Sequence, residues 1–393
     1  MERQGRYFRN YLLLVSLLCS LWPVSSKAQT SSANLNGTVT DPSGATVPNA
    51  KVEVVSPDTG FKRQATTGNS GVYSINSLPI GNYDLTISAQ GFKTYAEKGI
   101  ELSVGENRTV DAQLAVGMTT TTVEVQGIAQ GLESNNAEIS TVLHSSQVTD
   151  IPLNGRDWAT LMTLSPGAVN LGGGGQRDLR IVGRGIDDNN YHYDGLDATG
   201  VQEQSQKAGA RLAISLESIG EFRVSSSNYT ADQGGSAGAQ VSVVSKAGTN
   251  AFHGDAFEFF RNNVLDARSP FDADIPPFHL NQFGGSVGGP IKKDRTFFFG
   301  DFEGLRQTLY RTVIGFVPNA TYRAQVAATS PGLAPFLPSW PVGQTPVDSI
   351  TDQWRSPGLN SQRENSFMGR LDHTFNAKTS IFGRYNFDDA KIV

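Results

Sequence analysis

Three stretches with different patterns of apolar and polar positions follow one another along the chain. Residues 33–115 hold short apolar runs, among them Leu35 to Val39, Lys51–Val55 with strict alternation, and residues 71–75 and 85–88. Asp41-Pro42-Ser43-Gly44, Pro57-Asp58 and Gly91-Phe92 punctuate them, and β-type runs at roughly ten-residue spacing predict a β-sandwich. In residues 132–248 the period changes. Residues 145–151 and 156–164 have helical spacing with Ser145 and Asn154 placed to cap, while residues 180–182, 216–224 and 241–246 read as strands, so this stretch predicts an α+β unit. Inside it, residues 180–182 enter a Gly183-Arg184-Gly185 turn, and the chain returns through residues 191–193 into Asp194-Gly195, a hairpin signal. Beyond residue 248 the alternation lengthens. Residues 367–375 set Phe367, Gly369, Leu371, His373 and Phe375 on one face against Ser366, Arg370, Asp372 and Thr374. Residues 379–387 set Ile381, Gly383, Tyr385 and Phe387 against Ser380, Arg384 and Asn386. Apolar-out, polar-in strands with aromatic ends suit an outer-membrane barrel, although a half-buried soluble sheet alternates in the same way.

Composition narrows the choice. Of 393 residues only 18% are charged and 38% hydrophobic, with 42 glycines, a mix suited to turn-rich β structure rather than helix bundles. The formal charge of −5 argues against a nucleic-acid partner, which would demand a basic face. Arg3, Arg6 and Arg9 precede an apolar run at residues 11–22 that is too short to span a bilayer, and Ser26-Lys27-Ala28 offers small residues at a cleavage site. Residues 1–28 are therefore expected to be a signal peptide for export from a bacterial cell. The chain's one cysteine, Cys19, falls inside it, with bulky Leu18 where a lipoprotein signal wants a small residue. An exported chain without disulfides must be held by its sheets and packing.

Named residues then carry a family resemblance. Gly37, Val39, Asp41, Gly44, Pro48, Asn49, Ala50, Val52, Gly71, Tyr73, Leu78, Pro79, Gly81, Tyr83, Gly91 and Phe92 form a string that resembles the carboxypeptidase regulatory-like domain, a transthyretin-like sandwich. The Arg184-Gly185 pair ahead of Asp194-Gly195, residues 216–224, and Tyr229 followed by residues 234–238 and 241–246 resemble the plug of TonB-dependent outer-membrane receptors. Ser225 and Thr230 stand where that family usually has glycine, a departure that points to an Oar-like branch rather than a siderophore receptor. Residues 250–267, 281–293 and 294–306 resemble the opening barrel strands of Oar-like receptors. The implied fold class is mainly β: an N-terminal transthyretin-like β-sandwich (29–116), a linker (117–131), an α+β plug domain (132–248), then the first antiparallel strands of an incomplete outer-membrane β-barrel (249–393). A barrel of about 22 strands at about ten residues each needs roughly 220 residues. That is more than follow residue 248, so an N-terminal fragment is expected. The aperiodic, proline-rich residues 318–357 are expected to form an external loop.

What the resemblance implies for function is energy-coupled uptake across the outer membrane. Thr122, Val123, Glu124 and Val125 lie where the family places its TonB box, the segment that hands a strand edge to the energy-transducing protein TonB. A first plug strand is the other reading of that run. Arg184, Gly185, Asp194 and Gly195 are the plug latch or turn candidates, Arg184 being the kind of residue that faces barrel-wall carboxylates. Asp187, Asp188, Asn189 and Asn190 are the ligand-facing candidates. The partners implied are TonB, outer-membrane lipid and an unidentified ligand such as a polysaccharide, peptide or metal chelate. The alternative is an outer-membrane carbohydrate-binding or adhesion protein that uses the sandwich without transport.

No enzyme chemistry is expected. Two Gly-x-Ser-x-Gly strings, at 234–238 and 284–288, lack the strand-Ser-helix setting of a nucleophile elbow. His144, His192, His253, His279 and His373 have no metal-ligand spacing, and Asp187, Asp188, Asp194 and Asp197 miss the EF-hand pattern, so neither a metal nor a cofactor is implied.

Overall fold

The computed structural model describes residues 32–117, 122–126, 137–171, 179–185, 188–198, 214–229, 233, 235, 237–268, 274–377 and 379–392. The expected signal peptide, the 172–175 glycine run and Asp187 lie outside them, as do Gly234 and Ser236 of the first Gly-x-Ser-x-Gly string.

Strict alternation builds the first unit. β1 (Ser32–Thr40) pairs with β4 (Val72–Pro79), and β7 (Asn107–Thr109) and β8 (Ala112–Gln113) run parallel to β1. The facing sheet has the order β3 (Lys62–Thr66), β2 (Lys51–Val55), β5 (Gly81–Ser88), β6 (Thr94–Leu102), β9 (Thr122–Gln126). Inward positions such as Leu35, Val52, Val54, Ile75, Leu85 and Ile87 are almost wholly shielded from water. Two tyrosines end in this core, and each hydroxyl finds a carbonyl: Tyr73 donates to Val110 at 2.7 Å and Tyr83 to Pro79 at 2.8 Å. The Asp41 of the turn string earns its place by accepting from the Ser43 and Ala45 amides at 2.8 and 2.9 Å, closing an Asx turn. Gly37 lies against the Val110 carbonyl, where a Cβ has no room.

The middle unit is a five-stranded sheet in the order β10 (Ile139–His144), β15 (Ile219–Ser227), β16 (Gln240–Ser245), β13 (Asn190–Tyr193), β14 (Leu196–Asp197). A separate pair, β11 (Ala168–Asn170) and β12 (Leu179–Ile181), lies beside it. Its core holds Trp158 edge-on to Phe222 at 5.7 Å. The predicted helices are shorter and capped differently. The first is Ser145–Asp150, and its cap is His144, whose amide donates to Gln147 Oε1 at 3.1 Å; Ser145 is already inside. The second stretch folds as 3-10 turns, Asn154–Arg156 and Trp158–Leu164, and Asp157 rather than Asn154 caps the latter by accepting from Ala159 N at 2.9 Å. Gly155 and Arg156 both take positive φ (79° and 54°), so the turn ahead of the expected 156–164 helix includes its first residue, and the helical part starts only at Trp158.

The third unit is an antiparallel meander of β17 (His253–Asn262), β18 (Phe278–Lys292), β19 (Thr296–Pro318), β21 (Thr351–Asn376) and β22 (Thr379–Ile392), with β20 (Thr345–Pro346) on the edge of β21. The sheet is open. Ser286 of the second Gly-x-Ser-x-Gly string lies within β18, paired across to Asp255 of β17. The predicted hairpin is present, with Phe367 opposite Phe387 and Gly369 opposite Tyr385. Phe367, Leu371, Phe375, Ile381, Tyr385 and Phe387 point outward, each more than two-fifths exposed. Residues 318–357 are not one loop. β19 runs 23 residues and β21 runs 26, more than twice the roughly ten needed to cross a bilayer. Between them sit a helix, Ala320–Thr329, and a 3-10 turn, Pro331–Ser339. Arg323 gathers that tip by donating to the carbonyls of Pro318, Leu337, Trp340 and Pro341. Prolines hide the strand period there: Pro318 ends β19 and Pro357 falls within the outer part of β21, while Pro331, Pro335 and Pro338 belong to the 3-10 turn.

Candidate functional site

The Asp194-Gly195 turn is the meeting point of the middle unit and the barrel-type sheet. Both residues take positive φ (49° and 79°), the pairing that joins two antiparallel strands through a tight two-residue turn. That geometry aims the Asp194 carboxylate across the sheet, where it accepts from Ser245 N at 2.8 Å and from Ser245 Oγ at 2.7 Å. The same carboxylate meets two barrel guanidiniums: Arg370 of β21 at 3.5 Å and Arg384 of β22 at 3.2 Å. Arg370 and Arg384 are direct partners in the β21–β22 register. Like charges placed directly opposite destabilise a sheet, so the strand pair carries a repulsion that the middle unit relieves. Arg370 also donates to Ser245 O at 3.1 Å and pairs with Asp372 at 2.8 Å, while Arg384 lies over the Tyr193 ring at 3.4 Å. Burial pushes the Tyr193 hydroxyl up to about 12 despite the nearby guanidinium, so it stays protonated.

A second junction forms around Arg156. Its guanidinium pairs with Glu217 at 2.9 Å, reaches Glu303 of β19 at 3.8 Å, and covers the rings of Phe257 and Phe259 at 4.0 and 4.9 Å. Lys246 adds a contact to Glu217 at 3.7 Å, and Glu303 accepts from Ser215 Oγ at 2.6 Å and from Gln282. Arg156 and Glu303 were not among the sequence candidates. The left-handed Gly155-Arg156 turn is the one local signal that marks the position.

The sandwich is fixed to both other units. Glu221 of β15 accepts from Val104 N at 2.6 Å, and Arg223 donates to Val104 O at 3.2 Å. His144 stands between Glu221 at 3.4 Å and Glu101 of β6 at 3.5 Å. Its pKa is raised, chiefly by the hydrogen bond to Glu221 and then by the charge of Glu101, with desolvation opposing. On the barrel side Asn250 N donates to Asp58 O at 2.8 Å, while Asn250 and Asp294 exchange hydrogen bonds at 2.7 and 2.8 Å.

Several sequence candidates move under this geometry. Arg184 is exposed and forms no ion pair among the described residues. At Asp194 the polarity is opposite to the one expected, since the middle unit gives the carboxylate and the barrel strands give the guanidiniums; the expected arginine-to-wall contact is made by Arg156 with Glu303 instead. Gly185 is exposed and its amide donates to Asp188 Oδ2 at 3.0 Å. Asn189 and Asn190 are not at a ligand surface. Asn189 is buried, donating to Leu179 O at 3.1 Å and accepting from Ala239 N at 3.1 Å, and Asn190 donates to Gln240 Oε1 at 3.1 Å. Buried amides need partners, and these two tie the loop to β16 and β12 instead. Thr122, Val123, Glu124 and Val125 lie in β9, which is neither free nor part of the middle sheet. It runs parallel to β6, with Thr94 opposite Thr122 and Lys98 opposite Gln126.

Comparison with known proteins finds family matches for two stretches of the chain. Residues 34–115 match the carboxypeptidase regulatory-like domain, and residues 244–334 match the outer membrane beta barrel domain. The chain is therefore a mainly β protein that joins a regulatory-like sandwich to barrel-type strands. Over 298 residues it is 26% identical to the TonB-dependent transporter Oar of Myxococcus xanthus, a match covering 70% of this chain and 27% of that protein. The chain spans about a quarter of the length of that transporter. The siderophore receptors PirA of Pseudomonas aeruginosa and of Acinetobacter baumannii align at 14% and 15% identity. They cover 65% and 63% of this chain and 41% and 43% of their own, with TM-scores of 0.35 and 0.32, too low to carry an assignment.

Proposed function

We propose that the protein is an outer-membrane receptor for energy-coupled uptake, with the middle unit as a plug, residues 122–125 as the contact for TonB, and residues 1–28 as the signal for export. The observation that supports this reading best is the pair of charged junctions that holds a compact α+β unit against the inner face of barrel-type strands. Asp194 between Arg370 and Arg384, and Arg156 between Glu217 and Glu303, tie that unit to β19, β21 and β22. Barrel strands alone need no such partner, whereas a stopper that must stay seated until pulled does. The strands face lipid through Phe367, Leu371, Phe375, Tyr385 and Phe387. No covalent step is involved: ligand on the outer side biases the coupling segment, and TonB pulls. Ligand recognition is assigned to the external end, where the 319–350 tip stands well beyond the bilayer-crossing length. The test removes residues 119–126 from the full chain and measures its capture by the purified periplasmic domain of a TonB protein. Capture should vanish; undiminished capture would contradict the coupling role.

A further inference from the structure

The segment assigned to TonB is already a strand. β9 extends the five-stranded face of the sandwich, pairing in parallel with β6 over five residues from Thr94–Thr122 to Lys98–Gln126. It is the last strand of that sheet, and no strand lies on its far side among the described residues. An unpaired edge is a template for a further strand, and one held in extended form spares its partner the entropy of ordering it. β6 is also the strand that meets the middle unit. Glu101 near its end faces His144, which closes β10, and Val104 just beyond it is gripped by Glu221 and Arg223 of β15. A load on β9 thus has a continuous hydrogen-bonded route into β10 and β15. It passes through the sandwich, not along a loose tether.

We propose that the sandwich presents β9 as a preformed edge strand, that an extended strand of the energy-transducing protein adds to its free side while β9 stays on β6, and that the sandwich carries the pull into the middle unit. This rests on the reading of residues 122–125 as the TonB contact. It gives the regulatory-like domain a mechanical part in coupling and makes the interaction surface a composite of β9 and its support.

A staple tests it. Lys98 and Gln126 are register partners, so Lys98→Cys with Gln126→Cys, in a Cys19→Ser background, links β6 to β9 on oxidation outside the 122–125 contact. Binding of the purified periplasmic domain of a TonB protein to the full chain is then measured in both redox states. Hydrogen exchange of residues 94–98 and 122–126 is followed in the wild type, so that the outcome does not depend on how the variant folds. The proposal expects oxidised and reduced forms to bind within about twofold of each other, because the docked strand is the binding form. It also expects residues 94–98 to stay protected when the partner binds. Loss of binding by about tenfold or more on oxidation, or exposure of residues 94–98 in the bound wild type, would overturn it by showing that β9 has to leave the sheet. Failure of the wild type to bind would sink the TonB-contact reading itself, and this inference with it.

Discussion

Arg370 and Arg384 are the residues whose placement makes least sense on their own strands. Two guanidiniums face each other across a β-ladder, and the carboxylate that reconciles them comes from a turn about 180 residues earlier in the chain. Removing one partner from a buried ion pair costs about 3–5 kcal/mol when the other charge is left without compensation, and here Arg384 loses its carboxylate while Arg370 keeps Asp372. Asp194→Asn should therefore lower unfolding stability by that order and open the middle unit to protease, and a change under about 1 kcal/mol would show the contact to be incidental. Adding Arg384→Gln to Asp194→Asn should restore part of the loss, because it removes the repulsion that remains. His144 makes a different prediction. Its folded pKa lies above its ordinary value, so the stabilisation it gives is complete below that ordinary value and is lost as pH rises through the raised one. The groups facing it, Glu221, Glu101 and Glu106, are all carboxylates. Thermal denaturation between about pH 5 and 8 should show the sandwich contact weakening toward the alkaline end, and His144→Gln should flatten that slope. An unchanged slope would remove His144 from the interface energetics.

At the scale of elements, much was readable because period is a local property. The alternation at 51–55 and 379–387 and the turn residues between them recover β2 and β22, and the Asp-Gly pair recovers the turn after β13. Helix boundaries near 145–164 were less readable. There a glycine and an arginine in left-handed conformation delay the second helical stretch to Trp158 and leave Asp157, not Asn154, to cap it. The length of β19 and β21 was hidden by prolines at their outer ends. The role of β9 was hidden more deeply, since a five-residue alternating run carries no record of which sheet it joins. The charged junctions were invisible for the same reason: Arg156 finds Glu303, and Asp194 finds Arg370, only after the middle unit and the barrel-type sheet have folded and met. Within the sandwich one element-level prediction is sharp. Gly37 of β1 has no room for a Cβ against the Val110 carbonyl, so Gly37→Ala should cost about 1–3 kcal/mol through overpacking. The loss should appear as a lower melting temperature of the first unit with the other two unaffected; a neutral outcome would mean that the chain after β7 yields freely.

At the scale of the whole molecule, three units are pinned in sequence. The sandwich holds the middle unit through Val104 and His144, and the middle unit holds the barrel strands through Asp194 and Arg156. Each pin joins a local structural irregularity to a charge, such as a left-handed turn or a strand end. The proposed function requires the last strands to face lipid on one side and the middle unit on the other. Spin labels placed one at a time along residues 366–375 and 380–387, in the full chain in isolated outer membranes, measure that directly through oxygen accessibility. Accessibility should alternate with a period of two, with maxima at Phe367, Leu371, Phe375, Ile381, Tyr385 and Phe387 and minima at Arg370 and Arg384. Uniform exposure to water on both faces of these strands would contradict the account.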